Sequence, residues 1–226
     1  MRRRSVLTGI GTTGIVSITG CLGSVKKATS FKAAVAGVEQ SALDETGYKH
    51  EKTEEIGIER EIEVAGQSQT VSVTNQLRQY SKTVDFGVLG EKKMGLFAVF
   101  ATPKVDVLEK SFNPVSEMPP GELVRLVSSN YEGMGDVEFD SESTVTILGE
   151  EVTDSRYVSE ASLGEQKIDL RLHVTEAVAR GDDLVVTIGG YPEKISEQEQ
   201  ENIIQLMKGV LPAGETVPNG NTTGNQ

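Results

Sequence analysis

The sequence predicts an α+β fold, with a single antiparallel sheet of about six or seven strands covered by two or three helices. The first observation is the order of the elements, which runs helix, strands, helix, strands, helix and does not alternate strand with helix. The second is a period-two alternation of apolar and polar residues in both strand regions. A fold built from βαβ units would alternate strands with helices along the whole chain. The observed order instead indicates one antiparallel sheet in a single domain over residues 31–211.

Composition limits the classes of protein to which the chain can belong. Its 226 residues suit one generous domain, since a domain typically has about 100 to 200 residues. The formal net charge of −12 disfavours a nucleic-acid binder, whose surface would carry a basic patch. The single cysteine excludes an internal disulfide and a thiolate zinc site.

Residues 1–20 are predicted to be a twin-arginine and lipoprotein signal peptide that lies outside the folded domain. Arg3 and Arg4 open an Arg-Arg-Ser-Val-Leu segment of the export type. The uncharged stretch that follows is shorter than the roughly 20 apolar residues that span a bilayer. Ile-Thr-Gly then precedes Cys21, the pattern in which the thiol receives a lipid. The alternative is an ordinary signal peptide with a chance cysteine.

Removal of the signal peptide makes the chain more acidic. Residues 1–20 contain three arginines and no acidic residue, so the mature net charge becomes −15. Concentrated salt screens the self-repulsion that such a charge causes in dilute buffer. The composition of this exported chain therefore suggests a salt-adapted organism.

A flexible linker at residues 21–30 leads into the first predicted helix, which Gly47 ends. The apolar residues at helical spacing in it are Phe31, Val35, Val38 and Ala42. Residues 51–108 change to strand patterns, in which apolar and polar residues alternate or run as a continuous apolar stretch.

A second helix is predicted to begin at Pro119–Pro120, where proline suits the first turn. Residues 134–190 read as successive strands, and a third helix follows, with a capping box formed by Ser196 and Glu199. Its apolar stripe consists of Ile203, Ile204, Met207 and Val210. Residues 212–226, rich in Gly, Asn and Thr, form a predicted disordered tail.

Histidine, the usual general base, occurs only as His50 and His173. His173 falls on the polar side of its strand, and His50 lies in a charged stretch. We therefore predict two solvated surface histidines, without the spacing of a metal site. No serine carries the sequence pattern of a hydrolase nucleophile, so the sequence predicts no catalytic residue, no cofactor and no enzyme.

Four carboxylates alternate along one predicted strand and would point to one face of it. A row of this kind is a weak candidate for a hard cation such as calcium, although a solvated acidic face is the favoured explanation. The residues are Asp136, Glu138, Asp140 and Glu142. In the tail, Asn221 begins an Asn-Thr-Thr glycosylation sequon.

Several short segments, each unspecific alone, carry a resemblance over most of residues 1–211. They are the Arg3-Arg4 signal ending at Cys21, the Ala-Leu-Asp-Glu-Thr-Gly-Tyr segment at 42–48, Thr-Asn at 74–75, Thr-Pro at 102–103, Asn-Pro at 113–114, Glu-Leu at 122–123 and Gly-Gly-Tyr-Pro at 189–192. Through them the chain resembles a family of uncharacterised haloarchaeal lipoproteins. The resemblance implies no established activity, so no catalytic residue is transferred. The element order is also similar to exported PsbP/Mog1-type domains, a likeness of topology alone.

Three functional hypotheses follow. The first and favoured one is a non-enzymatic interaction or accessory module, held by a lipid on the outer face of the cytoplasmic membrane. The alternative is a small-molecule-binding lipoprotein that serves a membrane transporter, and the third, disfavoured, is a hydrolase. A rimmed apolar patch would favour the first, and an apolar pocket with convergent polar groups the second. A Ser or Asp within hydrogen-bond reach of a histidine would reopen the third.

Overall fold

The computed structural model describes residues 30–64, 67–85, 90–107, 110–111, 123–124, 134–163 and 166–212. The predicted signal peptide, the linker up to residue 29 and the tail beyond residue 212 lie outside the described residues. Strands dominate the described part, and the strands predicted within residues 51–108 and 134–190 are confirmed.

The thirteen strands of the described part are β1 (Ser30–Lys32), β2 (Gly37–Val38), β3 (Lys49–Val64), β4 (Gln67–Asp85), β5 (Glu91–Pro103), β6 (Asp106–Val107), β7 (Lys110–Ser111), β8 (Met134–Ile147), β9 (Glu150–Leu163), β10 (Gln166–Thr175), β11 (Val178–Arg180), β12 (Asp183–Pro192) and β13 (Val210–Leu211). The two helices bounded within it are α1 (Gln40–Thr46) and α2 (Ser196–Lys208), and a 3-10 turn at Glu193–Ile195 leads into α2.

Nine of these strands form one mixed sheet. The spatial order of its main strands is β3, β4, β5, β12, β10, β9 and β8, and each of these strands is antiparallel to its neighbours. β1 adds a parallel pairing to β4, and β11 pairs with β12. Two short pairings, β2 with β13 and β6 with β7, stand apart. The predicted α+β fold with a single antiparallel sheet of about six or seven strands is therefore wrong, because the described part of the chain is mostly β and its large sheet has nine strands with mixed pairing.

The first predicted helix accounts for part of this difference. Of the residues at helical spacing, Phe31 lies in β1 and pairs with Val73 of β4, Val38 lies in β2, and only Ala42 lies in a helix. Tertiary pairing along an open stretch of β4 outweighs a weak helical periodicity, and aromatic and β-branched residues suit a strand. The helix is confined to Gln40–Thr46, and Gly47 ends it as predicted, with φ of 76° and its N–H donated to the Leu43 carbonyl.

The central strands of the sheet are buried on both faces. On the helix-side face, strand residues such as Tyr80, Phe97 and Tyr191 share a core with Ile203 and Leu206 of α2. On the opposite face, a second core includes Leu77, Ala98, Leu172, Val174 and Val186, together with the helical residues Leu123 and Val124. The rest of the predicted helix at 119–131 lies outside the described residues.

Helix α2 sits directly on the backbone of the central strand β12. A Cβ atom at Gly189 would lie 2.7 Å from Cγ2 of Ile203, so only glycine permits this approach. The predicted capping box is wrong, because Ile195 is the N-cap and makes no side-chain capping bond. The 3-10 turn before Ser196 starts the helix, which frees Glu199 to point into the protein.

Candidate functional site

His173, predicted on the solvated side of its strand, is fully buried. The predicted alternation is right, since Leu172 and Val174 belong to the core of the opposite face. The predicted exposure is wrong, because α2 covers the helix-side face as well: its Ile203 lies against Gly189, the cross-strand partner of His173.

His173 lies between two partners, and we call Asp154, His173 and Tyr191 the His173 cluster. Nδ1 of His173 is 2.8 Å from Oδ2 of Asp154, and Nε2 is 2.9 Å from the Tyr191 hydroxyl. With Asp154 ionised, Nδ1–H donates to the carboxylate and Nε2 accepts from Tyr191. Burial raises the pKa of Tyr191, which keeps the proton on the phenol.

A carboxylate on Nδ1 is the arrangement that orients a general base. The other nitrogen of His173, which would take a proton from a nucleophile, is occupied by Tyr191. All three side chains are nearly sealed from solvent, with Asp154 and Tyr191 exposed to 1%. The Asp that would reopen the hydrolase hypothesis is therefore present, but the imidazole is buried and both of its nitrogens are hydrogen-bonded within the cluster.

His50, predicted to be a solvated surface histidine, is half-buried at the start of β3 and so lies closer to its prediction than His173 does. Its Nε2 is 3.0 Å from Oγ1 of Thr53, and its ring stands edge-on to Tyr80. Burial lowers the pKa of His50, with a smaller contribution from the charge of Arg78. No described Asp or Glu hydrogen-bonds to this imidazole, so it makes no second dyad.

A second buried polar group joins α2 to the sheet, and we call Tyr48, Lys82, Glu199 and Asn202 the Glu199 cluster. Oε1 of Glu199 accepts from Nζ of Lys82 at 2.5 Å and from Nδ2 of Asn202 at 3.0 Å. Oε2 accepts from the Tyr48 hydroxyl at 3.0 Å. Burial first, and then the negative charge of Glu199, raise the pKa of Tyr48. These contacts satisfy the carboxylate and fix the start of α2 on β4.

The sequence carried a signal for one of these clusters. Glu199 stands four residues before Ile203, and therefore on the apolar stripe of α2, where a carboxylate needs a buried partner. Asp154 and Tyr191 gave no such signal. Their contacts with His173 depend on the registers of three strands, which no local pattern specifies.

The four carboxylates of β8 are exposed, but they do not share one face. A register shift between Phe139 and Ser141 leaves Asp140 out of the pairing with β9. As a result, Glu138 pairs with Val158 and Glu142 with Ser155, which point to opposite faces.

Asp140 has a partner of its own. Its Oδ2 accepts from Nη1 of Arg171 at 2.9 Å, and Arg171 also pairs with Glu193. Within the described ranges, no group of three or more His, Cys, Asp or Glu could hold a metal ion. The candidate cation site therefore does not assemble from Asp136, Glu138, Asp140 and Glu142.

An open cavity of about 500 Å³ lies on the helix-side face, where β1, β5, β11 and β12 meet. We call it the Arg180 cavity. Its lining combines an apolar set with two basic and two acidic side chains: Lys32, Ala34, Ala36, Ala101, Arg180, Gly181, Asp182, Asp183, Val185 and Pro212. Partial burial raises the pKa of Asp183, opposed by the hydrogen bond from the Ala34 N–H. This is the apolar pocket with convergent polar groups that favours the small-molecule hypothesis.

A strip of exposed apolar side chains runs along the edge strand β3. Ile56 and Ile58 are 38% and 37% exposed, on the same face as the charged residues Glu54 and Arg60 that flank them. We call Ile56 and Ile58 the edge strip. No strand of the described part pairs with the outer edge of β3. A strand edge of this kind can hydrogen-bond to an added strand.

The residues predicted to carry export and modification lie outside the described residues. They are Arg3, Arg4, Cys21 and Asn221, and their roles stay predictions. Among the helices of the described ranges, none has the length and apolar character needed to cross a bilayer.

Comparison with known proteins adds a family and a weak structural likeness. A family model described as a domain of unknown function (DUF6517) matches residues 35–211. No curated protein matches the chain. The solution structure of cyanobacterial PsbP (CyanoP) from Synechocystis sp. PCC 6803 is similar, with 12% identity and a TM-score of 0.34 over 85% of this chain and 99% of that one. The likeness expected from element order is thus present but weak, and it says nothing about function.

Proposed function

The chain belongs to the DUF6517 family, a domain of unknown function, and from this premise we propose that it is a non-enzymatic interaction module at the cell surface. The twin-arginine signal exports it, and a lipid on Cys21 holds it on the outer face of the cytoplasmic membrane. The net charge of −15 after loss of residues 1–20 supports a haloarchaeal setting, where salt screens the acidic surface.

The observation that carries this proposal is the edge strip on β3. Ile56 and Ile58 are exposed on one face between charged residues, on a strand whose outer edge pairs with no strand of the described ranges. Such an edge suits an extended segment that adds a strand to the sheet. β3 contains six glutamates against three Lys or Arg residues. The complementary partner is therefore a protein segment with apolar residues at alternate positions and a basic flank.

The buried clusters support binding over catalysis. The best placed general base, His173, has both ring nitrogens occupied and no exposure. The carboxylate of Glu199 likewise already accepts hydrogen bonds from Lys82, Tyr48 and Asn202. Both clusters tie elements of the helix-side face together, which gives the module a rigid frame.

Replacement of both edge-strip residues tests the proposal. We expect Ile56→Ser with Ile58→Ser to lower in-cell cross-linking to the main protein partner about tenfold at native salt, the effect of losing roughly 1.4 kcal/mol of binding. Mass spectrometry of the cross-linked membrane fraction measures it.

The matched control is Phe139→Ser, because Phe139 is 60% exposed at the opposite edge of the sheet. It should leave the yield unchanged. An unchanged yield in the double variant, or an equal loss in the control, would remove β3 as the binding edge.

Replacement of the predicted lipid attachment residue tests the membrane anchor. Cys21→Ser removes the only thiol that a lipid can alkylate, so we expect the protein to be released to the medium or to keep its signal peptide. Cell fractionation and mass measurement distinguish these forms. A variant that still sediments with membranes after normal removal of its signal would show that no lipid at Cys21 is needed.

The Arg180 cavity favours a second candidate function, a small-molecule-binding lipoprotein that serves a membrane transporter. Its volume of about 500 Å³ lies within the range of about 300–1,000 Å³ found for ligand pockets. Lys32 follows Cys21 by eleven residues, so a lipid anchor would keep the cavity within about 40 Å of the membrane. Native mass spectrometry of the purified chain tests this function, which predicts a copurifying small molecule.

A further inference from the structure

The Arg180 cavity exists because small side chains line it. Ala34 and Ala36 follow β1, and Ala101 lies opposite them on β5. Ala36, Ala101 and Val185 are buried, and they form an apolar wall. A longer side chain at any of the three alanines would extend into this space. The cavity is therefore open above its apolar wall, with its charged residues at the margins.

The acidic margin is held in place before any ligand arrives. Oδ2 of Asp183 accepts from the Ala34 N–H at 3.0 Å, which ties the segment after β1 to the β11–β12 turn. Lys104 fixes the same turn, since its backbone N–H donates to the Asp182 carbonyl and its Nζ donates to the Gly181 carbonyl, both at 2.7 Å. Oδ1 of Asp183 has no hydrogen-bond partner among the described residues. A fixed carboxylate oxygen is thus available to a donor in the cavity.

The basic margin of the cavity includes Arg180 on β11, the strand next to the one that carries Asp183. Arg180 is the cross-strand partner of Asp183 in the β11–β12 hairpin, with both side chains on the helix-side face. In the described part of the chain, Arg180 makes no ion pair within 4 Å. Lys32, in contrast, is bound to Glu55 at 2.6 Å. The guanidinium of Arg180 is therefore the basic group that can bind a carboxylate in bidentate fashion.

The charges of the lining select a class of ligand. Two basic and two acidic side chains cancel, so an anion would meet the two aspartates and a cation would meet Lys32 and Arg180. A ligand that carries both charges satisfies both margins. We infer that the Arg180 cavity binds a free α-amino acid, whose carboxylate pairs with Arg180 and whose ammonium donates to Asp183. This inference deepens the second candidate function and rests on it.

The test uses the full chain in mild detergent at molar salt, titrated with single free α-amino acids and followed by calorimetry. We expect at least one to bind, and the matching amine without its carboxylate and the matching acid without its amine to bind at least tenfold more weakly. Arg180→Ala should weaken the same amino acid at least tenfold. Lys194→Ala, at an exposed basic residue of the 3-10 turn before α2, should leave its affinity unchanged.

A second variant guards against misfolding as an explanation. Ala34→Leu fills the cavity from an exposed position and should abolish binding without lowering the unfolding temperature. The inference fails if no amino acid binds at about 10 mM, if either single-charge analogue binds equally, or if Arg180→Ala has no effect. A different copurifying small molecule would then keep the second candidate function while ending the amino-acid assignment.

Discussion

Glu199→Gln is expected to lower the free energy of unfolding by about 3 kcal/mol. The carboxylate is 2% exposed and accepts from Lys82, Tyr48 and Asn202. Loss of its charge leaves the partly buried ammonium of Lys82 without a counter-ion, which costs more than the lost hydrogen bond itself. The Lys82 side chain keeps 20% exposure, so the expected effect stays at the low end of the range for buried pairs. Urea unfolding at molar salt measures it.

The control for this prediction is on the same helix. Glu197→Gln removes an exposed carboxylate from the first turn of α2 and should change the stability by less than about 0.5 kcal/mol. Removal of both charges, with Lys82→Met in the Glu199→Gln background, should recover part of the loss. Equal stabilities of the Glu197→Gln and Glu199→Gln variants would mean that the Glu199 cluster does not hold α2 to the sheet.

His173→Leu has the second large expected effect, a loss of about 3 kcal/mol in the free energy of unfolding. The substitution leaves the Asp154 carboxylate and the Tyr191 hydroxyl buried without their imidazole partner. Asp154 is 1% exposed, so water does not readily replace that partner. Denaturant unfolding with two probes, one for the sheet and one for tyrosine packing, measures the change.

A pair of variants separates the cluster from simple loss of packing. His173→Leu with Asp154→Leu also removes the carboxylate that has lost its imidazole donor. It should be more stable than His173→Leu alone, because an apolar pair replaces a buried charge whose remaining described ion pair, to Nε of Arg156, is 3.9 Å long. His50→Leu, at the half-buried histidine of β3, should cost under about 1 kcal/mol. If His173→Leu unfolds no more easily than His50→Leu, the His173 cluster contributes little to stability.

The strands were predictable because their signal is local. Period-two alternation placed β10 with Leu172 and Val174 on one face, and the structure has them there. The packing of helices on the sheet was harder to predict. Alternation shows which residues of a strand share a face, but it does not show whether a helix covers the polar face. Leu172 and Val174 therefore identified the apolar face correctly, while His173 was assigned to solvent.

At the start of the domain, the type of secondary structure itself was predicted wrongly. Phe31, Val35 and Val38 fit a helical period, but Phe31 belongs to β1 and pairs in parallel with β4, some 40 residues away in sequence. A helical period over so short a stretch is a weak signal, and the partner strand decides the outcome. The parallel pairing also makes the sheet mixed, which element order alone did not indicate.

The candidate sites likewise differ in how much of each could be predicted from local sequence. Glu199 was detectable from its place on the stripe of α2, whereas the Arg180 cavity joins residues about 150 positions apart, such as Lys32 and Asp183. The row of β8 carboxylates was plausible as a pattern, but the pairing with β9 shifts register twice along it, and the shift at Asp140 places Glu138 and Glu142 on opposite faces. Bulges follow from the pairing of two strands and leave little trace in either one.

Site-specific photo-cross-linking from β3 tests the central proposal, an interaction module that binds through this edge, most directly. A photoreactive amino acid replaces Ile58 in the membrane-anchored chain, and the same amino acid replaces Phe139 at the opposite edge as the reference position. At native salt, we expect one dominant protein adduct from position 58 and only background from position 139. Background at position 58, or the same adducts from both positions, would contradict a binding edge at β3.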